Sequence, residues 1–158
     1  MDTIPVIIET PKGSAFKYTY QPEKHLFKLT KVLPAGMTFP FDFGLIPDTK
    51  GEDGDPLDII VIAEFESFAG CIMDCRVIGG IKAEQTEHDG KTLRNDRFIG
   101  IPVVSALFAE INSTEDLPKK IIDQLEAFFK NYNELSGKEF KSLGSMSPDE
   151  AYALIKKG

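Results

Sequence analysis

Short runs of apolar residues separated by turn-forming segments dominate the first two-thirds of the chain. Runs at residues 6–9, 16–20, 26–32, 57–63, 75–81 and 98–104 are interrupted by Pro11-Lys12-Gly13, Gln21-Pro22-Glu23-Lys24, Pro34-Ala35-Gly36 and His88-Asp89-Gly90-Lys91. Each run predicts a short β-strand, and many short strands with turns this frequent predict a barrel or a sandwich. Residues 39–51 carry Pro40, Gly44, Pro47 and Gly51 without a regular period and read as a structured loop. After Val104 the period lengthens. Ile121, Ile122, Leu125, Phe128, Phe129 and Tyr132 recur at intervals of one, three and four, which puts them on one face of a helix starting near Pro118. Ser147-Pro148-Asp149-Glu150 announces a second helix, with Ser147 as cap, Pro148 at the first helical position and Glu150 closing a capping box. The expected fold is mainly β, of the α+β type: a β-barrel with one or two C-terminal α-helices packed on it, formed by residues 1–158 as one domain.

Composition narrows what such a barrel binds. With 158 residues the chain buries a core without help from disulfides. A formal net charge of −7 and a pI near 4.9 repel nucleic acid and anionic lipid. An anionic ligand must therefore enter through bound cations or a local basic patch. No stretch approaches the roughly 20 apolar residues of a membrane span, and Met1-Asp2-Thr3-Ile4-Pro5 lacks the basic and apolar regions of a signal peptide, so the expected compartment is the cytoplasm. Cys71 and Cys75 supply only half of a zinc site and read as small, half-buried hydrophobes; His25 and His88 read as surface residues.

The densest chemistry lies at Asp53-Gly54-Asp55-Pro56-Leu57-Asp58, three carboxylates within six residues running into Ile59-Ile60-Val61-Ile62. Gly54 and Pro56 hold the backbone in a compact turn where the acidic side chains can converge. Oxygen donors on a rigid loop suit Mg²⁺, Mn²⁺ or Ca²⁺ better than zinc. A calcium EF-hand starting at Asp53 would reach Glu64 at its twelfth position, but Leu57 and Asp58 fall where an oxygen ligand and a glycine are required. A solvated turn without a cation is the plainer rival, since Asp, Gly and Pro are ordinary turn residues.

The acidic turn and its apolar strand resemble the signature of family I soluble inorganic pyrophosphatases. The resemblance extends through Val6-Ile7-Ile8-Glu9-Thr10-Pro11, Lys17-Tyr18, Phe39-Pro40 to Gly44, Gly79-Gly80-Ile81-Lys82 and Phe128-Phe129-Lys130-Asn131-Tyr132. It implies a five-stranded OB-type β-barrel with the site in its mouth. It also implies Mg²⁺-dependent hydrolysis of diphosphate to two phosphates, with several Mg²⁺ ions per site and Mn²⁺ as a substitute, and a homo-oligomer, commonly a hexamer. Carried over position by position, it makes Asp53 and Asp58 metal ligands, with Asp58 able to bridge two cations, and gives Asp55 the attacking water. Glu9 matches an acidic metal-site position on the first strand, while Lys17, Lys31 and Tyr132 match positions that hold phosphate oxygens.

The departures from the family pattern cluster around the same site. Thr19 stands where a glutamate is usual, Lys31 where an arginine is usual, Phe39 and Phe43 where tyrosines are the rule, and Asn133 where a lysine follows the tyrosine. Counting back from Phe98 puts Arg97 at a substrate-binding lysine and Asn95 at an aspartate, with a further aspartate falling near Glu84, Gln85 or Glu87. Asp96 is the expected replacement metal ligand, reached through a bulge, because on a regular strand it would face away from Asn95. Arg94-Asn95-Asp96-Arg97 can equally form a surface ion-pair cluster. The alternatives to hydrolysis are a weakened relative that binds divalent metal and phosphate compounds without efficient turnover, and an OB-type module for oligonucleotides or sugars.

Overall fold

The structure is a computed structural model and describes residues 2–158. Among the described residues nine strands are present: β1 (Thr3–Thr10), β2 (Phe16–Gln21), β3 (Leu26–Val32), β4 (Asp42–Ile46), β5 (Leu57–Val61), β6 (Ile72–Thr86), β7 (Thr92–Arg94), β8 (Arg97–Pro102) and β9 (Glu139–Met146). Two helices, α1 (Lys119–Leu135) and α2 (Pro148–Lys157), flank β9. No helix is long and apolar enough to cross a membrane among the described residues.

Five of the strands close a ring. β1 pairs with β4, β4 with β5, β5 with β8, β8 with β6, and β6 returns to β1. Only the β5–β8 step is parallel within it. Closure removes the exposed sheet edge that an open sheet would present, and it delivers the five-stranded OB-type barrel. β2 and β3 form a separate hairpin over the mouth.

Three strands escape the hydrophobic pattern. β4 lies inside the segment read as a loop, because its prolines and glycine obscure the alternation; Gly44 is there because Ile7 of β1 crosses so closely that a Cβ would stand 2.6 Å from its carbonyl oxygen. β7 is three residues long, and β9 carries a mostly exposed, polar face. β6 runs past both ends of its expected span, pairing in turn with β1, β8, β9 and β7.

Burial follows the expected periods where they were clear. Ile60 and Ile62 pack with Phe128 and Phe129 of α1 in one core, while Ile59 and Val61 pack with Ala151 and Ile155 of α2 in another. The run after Asp58 is apolar without a break because both its faces are covered. Pro118 precedes α1 as expected. Ser147 caps α2 by accepting a bond from the Glu150 amide at 3.2 Å. The Glu150 carboxylate, expected to complete a capping box, instead pairs with Lys82 of β6 at 2.7 Å. Glu64 accepts bonds from Ser105 Oγ at 2.6 Å and from the Ala106 and Leu107 amides at 2.9 Å. The Leu107 amide and the Ser105 hydroxyl hold its pKa down to about 2, and this role fixes Glu64 as a loop clamp. Cys75 is buried in the α2 core and its thiol is pushed up to about 12 by desolvation, so it packs as a hydrophobe.

Gly79 interrupts the β6–β8 register at a φ of 137°, and a Cβ there would fall on the Met146 carbonyl oxygen of β9 and lie 3.1 Å from Thr114 Cγ2. Gly79→Ala is expected to lower stability by about 2–4 kcal/mol. Urea denaturation checks this, and a loss below about 1 kcal/mol would show that β6 tolerates a side chain at its bend.

Candidate active site

The acidic turn is built by its own backbone. Gly51 donates to the Asp55 carbonyl at 2.8 Å, Gly54 donates to the Gly51 carbonyl at 3.1 Å, and Gly54 takes a φ of 88° that suits glycine. Asp53 Oδ1 accepts the Asp55 amide at 3.0 Å, closing an Asx turn. Asp53 and Asp55 are exposed on this turn, while Asp58 already belongs to β5. Its ladder neighbours are Leu45 on β4 and Arg97 on β8.

Barrel closure brings Asp58 into a cavity of about 60 Å³ together with Glu9, Lys17, Arg97 and Tyr132. Glu9 enters from β1 at a register shift between Ile8 and Thr10, where a bulge re-aims the strand. Lys17 reaches in from the hairpin, and Tyr132 from α1. Lys17 Nζ lies 5.2 Å and Lys31 Nζ 4.9 Å from the Tyr132 ring centroid. Lys31 itself is exposed on the rim and lies 2.5 Å from Ser136 Oγ. Phe39, Phe43 and Phe129 complete the lining. Phe39 and Phe43 meet edge to face at 4.8 Å, and Phe43 stacks on Phe129 at 5.3 Å, so an aromatic block forms the floor.

Of the expected site residues, Asp53, Asp55 and Lys31 stand outside this cavity on its approaches, and Asp96 lies with Asp53 along a separate surface groove. Residues 95–96 lie between β7 and β8, and the Asp96 carboxylate substitutes for a missing ladder acceptor by taking the Ala83 amide at 3.0 Å. It also pairs with Arg94 Nε at 2.5 Å, and its side chain is only 8% exposed. Its charge is thus committed to holding β6 and β7 in place. Of Glu84, Gln85 and Glu87, the three positions near the further expected aspartate, Gln85 is the one buried on β6. Asn95 Nδ2 donates to Gln85 Oε1 at 3.2 Å. Phe140 on β9, under the Arg97 guanidinium at 5.9 Å, had no signal in the sequence because its strand had none. Asn133, in the position of a usual lysine, is buried and donates to the Phe129 carbonyl at 2.8 Å, so it serves the helix.

The electrostatics of the cavity are those of charges awaiting a counter-charge. Burial raises the Asp58 pKa above the usual carboxylate range, Arg97 and Lys17 pull it back, and Asp53 and Asp55 push it further up. Burial raises Asp55 as well, with Asp53 adding to it. Glu9 is pushed up to about 6, chiefly by burial, although the Tyr20 amide donates to its Oε2 at 2.9 Å. Burial disfavours the charge on Lys17, but the neighbouring Tyr132, Asp58 and Glu9 outweigh it and raise its pKa. The Tyr132 hydroxyl is buried with no hydrogen-bond partner. A phenol so placed costs free energy unless an acceptor meets it.

Clustered carboxylates facing clustered lysine, arginine and tyrosine groups define a site for a hard cation and a multiply charged oxyanion, set on an OB-type barrel. The family's sequence model, described as inorganic pyrophosphatase, matches residues 6–158, and the chain belongs to that family. Curated relatives named inorganic pyrophosphatase include one from Halalkalibacterium halodurans, 38% identical over 153 residues, covering 96% of this chain and 90% of the relative. Another, from Saccharolobus solfataricus, is 39% identical over 158 residues and covers 99% and 90%. Among solved structures, the inorganic pyrophosphatase from Thermus thermophilus superimposes with a TM-score of 0.89 at 30% identity, covering 98% of this chain and 88% of that one.

The raised pKa of Glu9 has a definite sign. Its folded value of about 6 exceeds the ordinary 4.5, so its ionisation opposes folding, and this cost appears as pH rises through 4.5 to 6. In metal-free protein, Glu9→Gln, which retains an oxygen for the Tyr20 amide, is expected to stabilise by about 1–2 kcal/mol at pH 8 and to change little at pH 4. Thermal melts at the two pH values check this; equal shifts at both would refute a charge effect.

Proposed function

We propose that the chain is an inorganic diphosphatase that hydrolyses diphosphate to two phosphates with Mg²⁺, or Mn²⁺ in its place. The observation that carries this reading is the cavity in which the unpartnered Tyr132 hydroxyl, Lys17 and Arg97 face the carboxylates of Asp58 and Glu9. Diphosphate would supply the acceptor oxygen that the Tyr132 hydroxyl lacks, and its cation would add positive charge beside Asp58 and Glu9 beyond that of Arg97 and Lys17.

The donors fit a hard cation. Asp53 and Asp58 offer only oxygen, and among the described residues no three His, Cys, Asp or Glu side chains converge as a finished cage. That suits Mg²⁺, which keeps several waters and shares its coordination between one or two carboxylates and substrate phosphates. When bound, the cation neutralises charge on the phosphates and acidifies the attacking water. Asp53 and Asp58 would hold the cation, with Glu9 beside Asp58 in the same cavity. Asp55, at the open mouth with a raised pKa, orients that attacking water and accepts its proton. Lys17 and Lys31, both close to the Tyr132 ring, attract phosphate oxygens as point charges, and the Tyr132 hydroxyl donates to one of those oxygens. Arg97 stabilises charge on the departing phosphate from the closed end.

Binding without turnover is not favoured for a chain 38–39% identical to relatives named as the enzyme. The whole of residues 1–158 is read as one domain of this kind, since the Tyr152 hydroxyl of α2 bonds back to the Asp2 carbonyl beside β1. We also propose a cytoplasmic homo-oligomer, with a hexamer favoured. Exposed apolar side chains such as Val104 at 77% and Leu107 at 71% support burial between copies.

Asp58→Asn and Asp55→Asn are each expected to lower diphosphate turnover by about a hundredfold or more. Phosphate release in excess Mg²⁺ measures this, and native-like turnover by Asp58→Asn would remove the hydrolytic reading. Because cations bind the ionised carboxylates, the apparent Mg²⁺ affinity is expected to fall as pH drops through about 6, where Glu9 takes up its proton. A metal titration flat between pH 8 and 5 would exclude Glu9 from the cation's surroundings.

A further inference from the structure

Arg97 lies directly against the Asp58 carboxylate. Its side chain is 8% exposed, and Nη1 stands 3.5 Å from Asp58 Oδ2. Nη1 also donates to the Asn95 carbonyl at 2.6 Å, and Nη2 reaches Gln85 Oε1 at 3.5 Å. The guanidinium lies over the Phe129 ring at 4.7 Å from its centroid. A group held from four directions in this way does not swing aside. It also keeps its charge at any pH at which proteins fold.

On the Arg97 side of Asp58 no further carboxylate offsets a divalent charge; Glu9, the other carboxylate of the cavity, interacts with the Lys17 charge and accepts the Tyr20 amide. The side chains of Gln85 and Asn95 on this side are neutral amides: Asn95 Nδ2 donates to Gln85 Oε1, which also accepts from the guanidinium, while the Asn95 backbone carbonyl takes Arg97 Nη1. The nearest remaining carboxylate in sequence, Asp96, is spent on Arg94 and the Ala83 amide. A dication brought to Asp58 Oδ2 would meet a fixed positive charge about 4 Å away without new negative charge to balance it.

We infer that this site holds one resident divalent cation, on the Asp53 and Asp58 side, and that the Arg97 guanidinium stands in for the second. The inference rests on the diphosphatase reading for its substrate but concerns the chain's own charge balance. One positive group is covalently supplied and always present; the other is taken from solution. The guanidinium fork carries five N–H donors, so those not taken by Asn95, Gln85 and Asp58 remain for a phosphate oxygen, a reserve that an ammonium's three donors do not match. Arg97 is thereby a catalytic residue of this site, touching the phosphate from the end opposite the cation.

Counting Mn²⁺ bound to the full chain by electron paramagnetic resonance, without diphosphate, tests the stoichiometry directly. The native chain is expected to take up a single Mn²⁺. Asn95→Asp alone is expected to leave the count at one, because the new carboxylate lies beside the guanidinium and pairs with it. Asn95→Asp combined with Arg97→Lys is expected to bind two, since a carboxylate is added and the fork is replaced by a flexible, compact charge. Two or more ions on the native chain would overturn the inference, as would a second ion in the single variant or a folded double variant that stays at one. Melting curves establish folding, and the native count stands alone if the double variant fails to fold. Phosphate release separates the two readings. Two bound ions with hydrolysis would remove only the Arg97 substitution, whereas one ion without hydrolysis would remove only the diphosphatase assignment.

Discussion

Everything in this fold depends on β6 reaching four partners along one strand. Its first residues pair with β1 from Arg76 back to Ile72, its middle with β8, and its far end with β9 and β7. The first two pairings close the ring, and the last two carry a polar extension past it. A 15-residue strand cannot do this flat. Gly79 and Gly80 let it bend where the backbones of Met146 and Arg97 crowd in, with no room for a Cβ at either position. Once the ring closes, β5 and β8 lie parallel, and Asp58 and Arg97 become ladder neighbours. The central charge pair of the site is thus a consequence of sheet register.

That register also explains why opposite charges crowd together at the barrel's mouth. Lys17 and Arg97 approach from the hairpin and from β8, and Glu9 and Asp58 from β1 and β5, over a floor of aromatic rings. The scaffold sets these groups before any ligand arrives, and the resulting unfavourable ionisation of Glu9, Asp55 and Asp58 is local strain of an electrostatic kind. Such strain is relieved by a cation and an oxyanion together better than by either alone, which couples their binding.

Much of this was legible in the chain. Asp53 and Asp55 sit on a compact turn that Gly54 and Pro56 favour, Asp58 comes next at the start of β5, and the helix at Ile121–Tyr132 follows from its period. The strand β9 was not legible, because one of its faces is solvated and Gly144 interrupts it at a φ of 109°. Nor was the role of Asp96. Strand alternation put it opposite Asn95, but the chain breaks between β7 and β8 and the side chain repairs the ladder by accepting from Ala83. Local spacing carries no information about a hydrogen bond to a residue thirteen positions away. Gln85 was one of three candidates for its position, and only burial on β6 separates it from Glu84 and from Glu87, which pairs with Lys138 at 3.0 Å.

The departures around the cavity are physically one change. Phe39 and Phe43 lack the phenolic hydroxyls expected there, and their rings build a dry column: Phe43 stacks on Phe129, and Phe129 on Phe140. A lysine ammonium is strongly hydrated and would be poorly solvated against that column. A guanidinium is weakly hydrated and gains from an aromatic face, so Arg97 suits the apolar floor that Phe43 and Phe129 create. With a permanent positive charge seated there, carboxylates at 85 and 95 would have no cation to bind beyond the arginine itself, and amides that bond its N–H groups or each other fill the space at no charge. Substitutions that look like separate losses when read one at a time along the chain become consistent once the guanidinium is the fixed member of the set.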